Sequence, residues 1–519
     1  MRGLLKNTAV MSWVVVVVVG LFVAVLVPSL HLPSRLDGGQ SVLDGARRAF
    51  TAERVAGDRA GITMVSAIVD LADPIATAQG GAADEVPQLV AFVSAQTGLS
   101  EPEVLDALQT NFPHTTALLQ AIPLDAVTAE VPGLVGFLAE TLGITEEQVV
   151  STLNDEFPRL AQSINALPTV TDGWNSVPGT ENLTRFDGSP ARTVPEVRDY
   201  FAGDVIPVLE NQGDNFGSLD GGFPSVGLIP VLLLVVAAVV IVFGVLMIVL
   251  SARRELARTA ATASWSVVVV VGVLVVALGA VLYPRLGDGQ ELLDGASPAF
   301  TAERVAGDRA GITMVSAIVD LADPIATAQG GAADEVPQLV AFVAGQTGLS
   351  DQEVLDALQT NFPHTTALLQ AIPLDAVTAE VPGLVGFLAE TLGITEEQVV
   401  ATLNEEFPRL AQSIEALPTV TAGWNSVPGT ENLTRFDGSP ARTVPEVRDY
   451  FAGDVIPVLE GEQTNFRRLD TTPPPVDVFA PLLILVGVLV IAYGAAMIVI
   501  ARYREPAYIH VRTQSPAMT

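Results

Sequence analysis

The sequence predicts an all-α membrane protein: four transmembrane helices and two near-identical helical extracytoplasmic domains in tandem. Three observations lead there. Four runs of about 18 to 25 residues contain no Asp, Glu, Lys, Arg or His, and at ~1.5 Å per residue each reaches the ~30 Å of a bilayer core. Residues 49–210 and 299–460 are one sequence at an offset of 250 residues, differing at only eight positions. Outside the apolar runs, hydrophobic residues recur at helical spacing, with no sustained period of two. A mean hydropathy of +0.45 over 519 residues is too apolar for an ordinary soluble enzyme of this size.

Taken in order, residues 1–9 form a short basic start containing Arg2 and Lys6, and 10–27 the first transmembrane helix. A basic start before an apolar run also describes a cleavable signal peptide. Against that reading, "SWVVVVVVG" at Ser12 returns as "SWSVVVVVG" at Ser264, deep in the chain, so a retained anchor is expected. Residues 28–226 form the first extracytoplasmic domain and 227–250 the second span. The connection 251–264 carries Arg253, Arg254 and Arg258; 265–283 is the third span, 284–478 the second outer domain, 479–500 the fourth span and 501–519 the tail, with Arg502, Arg504 and Arg512. Arginine and lysine close to a crossing are retained in the cytoplasm, which places both termini and the 251–264 connection inside and both large domains outside. Each half (span, outer domain, span) is expected to insert and fold alone.

An older repeat lies inside each outer domain. At a shift of 45 residues, "EVPQLVAFVSAQTGLSEPEVLDALQTNFP" from Glu85 answers "EVPGLVGFLAETLGITEEQVVSTLNDEFP" from Glu130, giving modules 85–129 and 130–174, with 335–379 and 380–424 in the second domain. Pro87 and Pro132 suit a first helical position, and Gly98 and Gly143 a helix end. Ser100 with Glu103, and Thr145 with Gln148, are capping boxes that start a second helix. "NFP" and "EFP" break that helix, and a third runs to Pro123 or Pro168. Residues 41–77 read as a helix leaving the membrane and 193–210 as one returning to it. Only 171–192, with its counterpart 421–442, reads as a long irregular loop.

The chemical inventory is thin. Cysteine is absent, so disulfides and thiolate sites are excluded. Four histidines fall at His31, His510 and one repeated position, His114 and His364, without the spacing of a zinc site. No nucleophile elbow, phosphate-binding loop, dinucleotide fingerprint or EF-hand loop is present. Catalytic residues, metal and cofactor are therefore not expected, and the protein is read as no enzyme. A net charge of -32 disfavours nucleic acid as a partner. The apolar runs hold no ionisable side chain of the kind a transport pathway uses; Gly272 and Gly279, and Gly487 and Gly494, instead suit close helix packing.

Recognition is best placed in the loop. Trp174, Arg185 and Phe186, with Trp424, Arg435 and Phe436 in the second domain, are anchor types set among small and polar residues. The competing reading is that the tryptophan only packs the loop onto the helices. A single lysine, Lys6, among many Arg, Ala, Val and Gly points to a bacterial source. The function expected is that of a non-enzymatic plasma-membrane protein of a bacterial cell envelope, whose outer domains bind or scaffold an envelope protein, a cell-wall component or a ligand. The alternative is an accessory or sensory subunit of a membrane transport or signalling complex.

Overall fold

The computed structural model describes residues 2–47, 51–76, 81–119, 124–220, 225–253, 258–326, 331–369, 374–470 and 473–503. Among these the fold is helical, without a named strand. The helices are α1 (Arg2–Ser29), α2 (Leu32–Ala46), α3 (Ala52–Ala76), α4 (Ala82–Thr97), α5 (Glu101–Asn111), α6 (Pro113–Leu119), α7 (Leu124–Leu142), α8 (Glu146–Glu156), α9 (Pro158–Gly173), α10 (Val194–Tyr200), α11 (Ile206–Asp220) and α12 (Ile229–Arg253). They continue as α13 (Arg258–Ala296), α14 (Ala302–Ala326), α15 (Ala332–Thr347), α16 (Asp351–Asn361), α17 (Pro363–Leu369), α18 (Leu374–Leu392), α19 (Glu396–Glu406), α20 (Pro408–Gly423), α21 (Val444–Tyr450), α22 (Ile456–Asp470) and α23 (Phe479–Tyr503). The chain forms two compact units, one of Met1–Phe50, Gln212–Pro298 and Glu462–Thr519, the other of Thr51–Asn211 and Ala299–Gly461.

The first unit holds four helices long and apolar enough to cross a membrane, within Val10–Ser29, Val226–Ser251, Thr262–Phe300 and Val476–Arg502. Their Val and Leu side chains are widely exposed, as at Val242, Leu274 and Leu485, which is the surface lipid would cover. α1 pairs with α12 and α13 with α23. Glycine permits the close approach: a Cβ on Gly279 would lie 2.7 Å from Ile484, and one on Gly487 2.9 Å from the Gly272 carbonyl. Trp13 stacks on Trp265 with ring centroids 3.9 Å apart, and the Tyr493 hydroxyl donates to the Ser12 carbonyl at 3.0 Å. These contacts join α1, α13 and α23. The basic residues 254, 504 and 512 lie outside the described residues.

Local signals in the modules hold. Gly98 and Gly143 have φ of 77° and 69°, the left-handed backbone that ends a helix. The Ser100/Glu103 and Thr145/Gln148 boxes form with both reciprocal bonds, and Phe112 and Phe157 break the chain before α6 and α9. Three expectations shift. Pro87 and Pro132 sit inside α4 and α7 rather than at their starts. For α7 the reason is burial: extending it upstream seals Val127 completely in the core, which outweighs one lost backbone bond. α9 likewise runs through Pro168 to Gly173, and the returning helix is divided by a π-turn at Phe201–Val205.

The larger correction concerns self-sufficiency. Each half was expected to carry its own core, whereas in the second unit the cores are shared. One cluster joins Leu134, Leu153 and Leu160 of the first stretch to Val340, Val354 and Leu358 of the second. Its mate joins Val90, Val104 and Leu108 to Leu384, Leu403 and Leu410. Module 85–129 therefore completes module 380–424, and 130–174 completes 335–379. A central cluster takes residues from both stretches, where α3 lies along α20 and α14 along α9. A three-helix module has one apolar face and must bury it on another; here the covering face belongs to the opposite stretch.

Candidate functional site: the seam between the two stretches

The loop after α9 closes on itself. The Val177 N–H donates to the Arg192 carbonyl (2.7 Å), Ala191 to Leu183 (3.1 Å) and Val194 to Trp174 (3.0 Å), and Gly179 and Gly188 take positive φ at its turns. This zipping holds Leu183 inward, against Gly307 of the second stretch, where a Cβ would come within 2.7 Å of the leucine. The equivalent loop drives Leu433 against Gly57.

All six residues expected to bind a partner lie at this seam. Trp174 is 3% exposed; its Nε1–H donates to Asp73 Oδ1 at 2.9 Å, and the other oxygen of Asp73 takes the guanidinium of Arg409 at 2.5 Å. Trp424 repeats this with Asp323 and Arg159. Arg185 pairs with Asp204 at 3.5 Å. Phe186 lies under the guanidinium of Arg304, 4.6 Å from its centroid, while that guanidinium donates to the carbonyls of Thr184 and Arg185. Arg435 pairs with Asp454 at 3.4 Å, and Arg54 covers Phe436. The tryptophans therefore do not form an exposed recognition surface: they are core residues bonded within their own stretch, and the loop also meets the other stretch through Leu183 and through Arg304 over Phe186. Exposed positions of the loop include Asn175, Ser176 and Glu181.

Sequence reading missed the most regular feature of the seam. The glutamate that opens each module, in "EVP", caps the helix after "NFP" or "EFP" in the module opposite. Glu380 accepts the Thr115 N–H (2.8 Å) and hydroxyl (2.9 Å), and Glu130 does the same for Thr365. Glu85 accepts the N–H groups of Arg409 (3.2 Å) and Leu410 (2.8 Å); Glu335 accepts those of Arg159 and Leu160 at the same distances. Proline at the first helical position contributes no N–H, and the free donors behind it attract a carboxylate through hydrogen bonds and the helix dipole. The recurrence of "EVP" with "FP" was the available signal. Ring pairs cross the same seam: Phe112 with Phe387, and Phe137 with Phe362, each at 5.7 Å.

An apolar cavity between the two stretches, bordered by Ile62, Met64, Val69 and their counterparts Ile312, Met314 and Val319, has a volume of about 30 Å³. That is room for about one water and none for a small-molecule ligand. Among the described residues no three His, Asp or Glu side chains converge as a metal site requires. His114 and His364 are exposed and sit at the starts of α6 and α17. The arrangement as a whole is a helical, interlocked unit on a chain with four membrane-length helices. Comparison with protein-family models, with curated proteins and with solved structures finds no match.

Proposed function

We propose that this chain is a non-enzymatic integral membrane protein of a bacterial cell envelope, in which two tandemly duplicated segments present one interlocked scaffold outside the plasma membrane for binding an envelope partner. The observation that carries the reading is the division of labour between the two units. Four apolar helices offer lipid-facing surface and little else, while the charged and aromatic groups of the seam are spent on holding two near-identical stretches together. Of the eight positions at which the stretches differ, seven are exposed in both, and the exception is the pair Ser94 and Ala344. The buried seam thus stays the same in both stretches, and the exposed faces are near-equivalent twins. Two such faces held in one body raise the effective concentration for a repeated or two-fold partner without any new contact.

The arginine distribution supports cytoplasmic termini, a cytoplasmic 251–264 connection and both stretches outside. Ser176 and Ser426 are exposed tips of the two loops, so cysteines introduced there are expected to react with a membrane-impermeant thiol reagent in intact cells. Protection of both until lysis would overturn the assigned side.

A further inference from the structure

Asp58 on α3 and Asp308 on α14 are each 2% exposed, yet neither plays any part in the capping or ion-pair network of the seam. Oδ1 of each is buried without a hydrogen-bond partner, and so are the hydroxyls of Tyr450 and Tyr200, the groups that act on them from the opposite stretch. Space around Asp58 is closed: a Cβ on Gly57 would lie 2.8 Å from Leu433, and one on Gly61 2.8 Å from Val447 and 2.9 Å from Phe451. The charged groups facing this site are few. Arg54, one turn earlier on α3, directs its guanidinium to the Thr434 hydroxyl and the carbonyls of Thr434 and Arg435. Asp454, beside Tyr450, accepts the Phe436 N–H and pairs with Arg435. At the other site Arg304, Asp204 and Arg185 take the same places.

We propose that Asp58 and Asp308 are paired proton-binding groups that make the hold between the two stretches depend on pH. As a neutral acid each carboxyl fits its closed site beside the tyrosine hydroxyl; as an anion it is buried without solvation and works against the seam. Burial is the main cause of the change, raising both carboxyls to about 7, while the tyrosine and the nearby arginine pull the other way. Desolvation, together with the facing carboxylate, raises the tyrosine hydroxyls as well. The sign follows from proton linkage. Between an unfolded carboxyl value of about 3.9 and the folded value, the folded chain binds more protons, so stability is full below that window and falls as pH rises through it. The capping carboxylates Glu103 and Glu353 are held below their usual range by hydrogen bonds from Ser100 and Ser350, on the opposite side of that range from the two aspartates.

The test uses the full chain in detergent, followed by infrared spectroscopy and thermal melting between about pH 5 and pH 8. A buried protonated carboxyl is expected to give a carbonyl band that fades near neutrality, is halved in Asp58→Asn and is absent in Asp58→Asn with Asp308→Asn. The native chain should melt higher as the solution is acidified, and the double variant should melt higher than native at the alkaline end with little dependence on pH. A native chain with no such band at the acid end, or with melting unchanged across the window, overturns the proposal. The infrared titration of the native chain decides even if the variants fold poorly.

Discussion

Replacing both Trp174 and Trp424 by alanine is expected to unfold the interlocked unit at temperatures where the native chain is intact. Each ring is a core member, and removing a buried tryptophan costs about 3–5 kcal/mol. The change also strips a partner from Asp73 or Asp323, which holds an arginine of the opposite stretch through its other oxygen, and a buried acceptor left unpaired adds about 1–3 kcal/mol. Two such losses rival the whole stability of a typical domain, about 5–15 kcal/mol. Circular-dichroism melting of the full chain checks this. Trp174→Phe, which keeps a ring but not the N–H, should lose much less. Unchanged melting in the double alanine variant would put the tryptophans outside the core.

The second large effect belongs to the glutamates. Hydrogen bonds to a charged group contribute about 1.5–3 kcal/mol each, and every one of Glu85, Glu130, Glu335 and Glu380 caps a helix of the opposite stretch. Alanine at Glu85 and Glu335 should lower the melting temperature clearly. Alanine at all four should leave the two stretches separable in denaturant concentrations that the native chain withstands. Proteolysis of the full chain in rising urea reads this out, and equal resistance of native and fourfold variant would show that the caps contribute nothing to the hold.

Much of the local structure was legible because its causes are local. Gly98 and Gly143 need a left-handed backbone, Ser100 and Thr145 find their capping partners three residues on, and the proline after Phe112 or Phe157 suits the first position of the next helix. None of that depends on what packs where. The membrane-length helices were legible for the same reason, since length and composition suffice. Pairing was not legible. Phe112 can meet Phe137 of its own stretch or Phe387 of the other, and the two choices present the same chemistry because residues 130–150 and 380–400 are identical. Periodicity marked the apolar faces correctly without saying which copy of a face would cover which. The loop was legible as irregular, and of its two readings the burial of Trp174 agrees with the one in which the ring packs the loop onto the helices; composition did not reveal that the backbone bonds of Val177, Ala191 and Val194 fold the loop back on itself. Asp58 and Asp308 gave no sequence signal, since "VAGDRAG" places an acid on a helix without revealing that Tyr450 or Tyr200 closes over it.

The interlock itself is tested most directly by folding the chain whole and then cutting it. A protease site inserted in the connection 254–257 leaves each half with its own pair of apolar helices, so nothing covalent joins the two stretches after cleavage. The cleaved halves are expected to migrate as one particle in mild detergent and to part only when the helical signal is lost. Halves that separate while still fully helical would contradict the shared core.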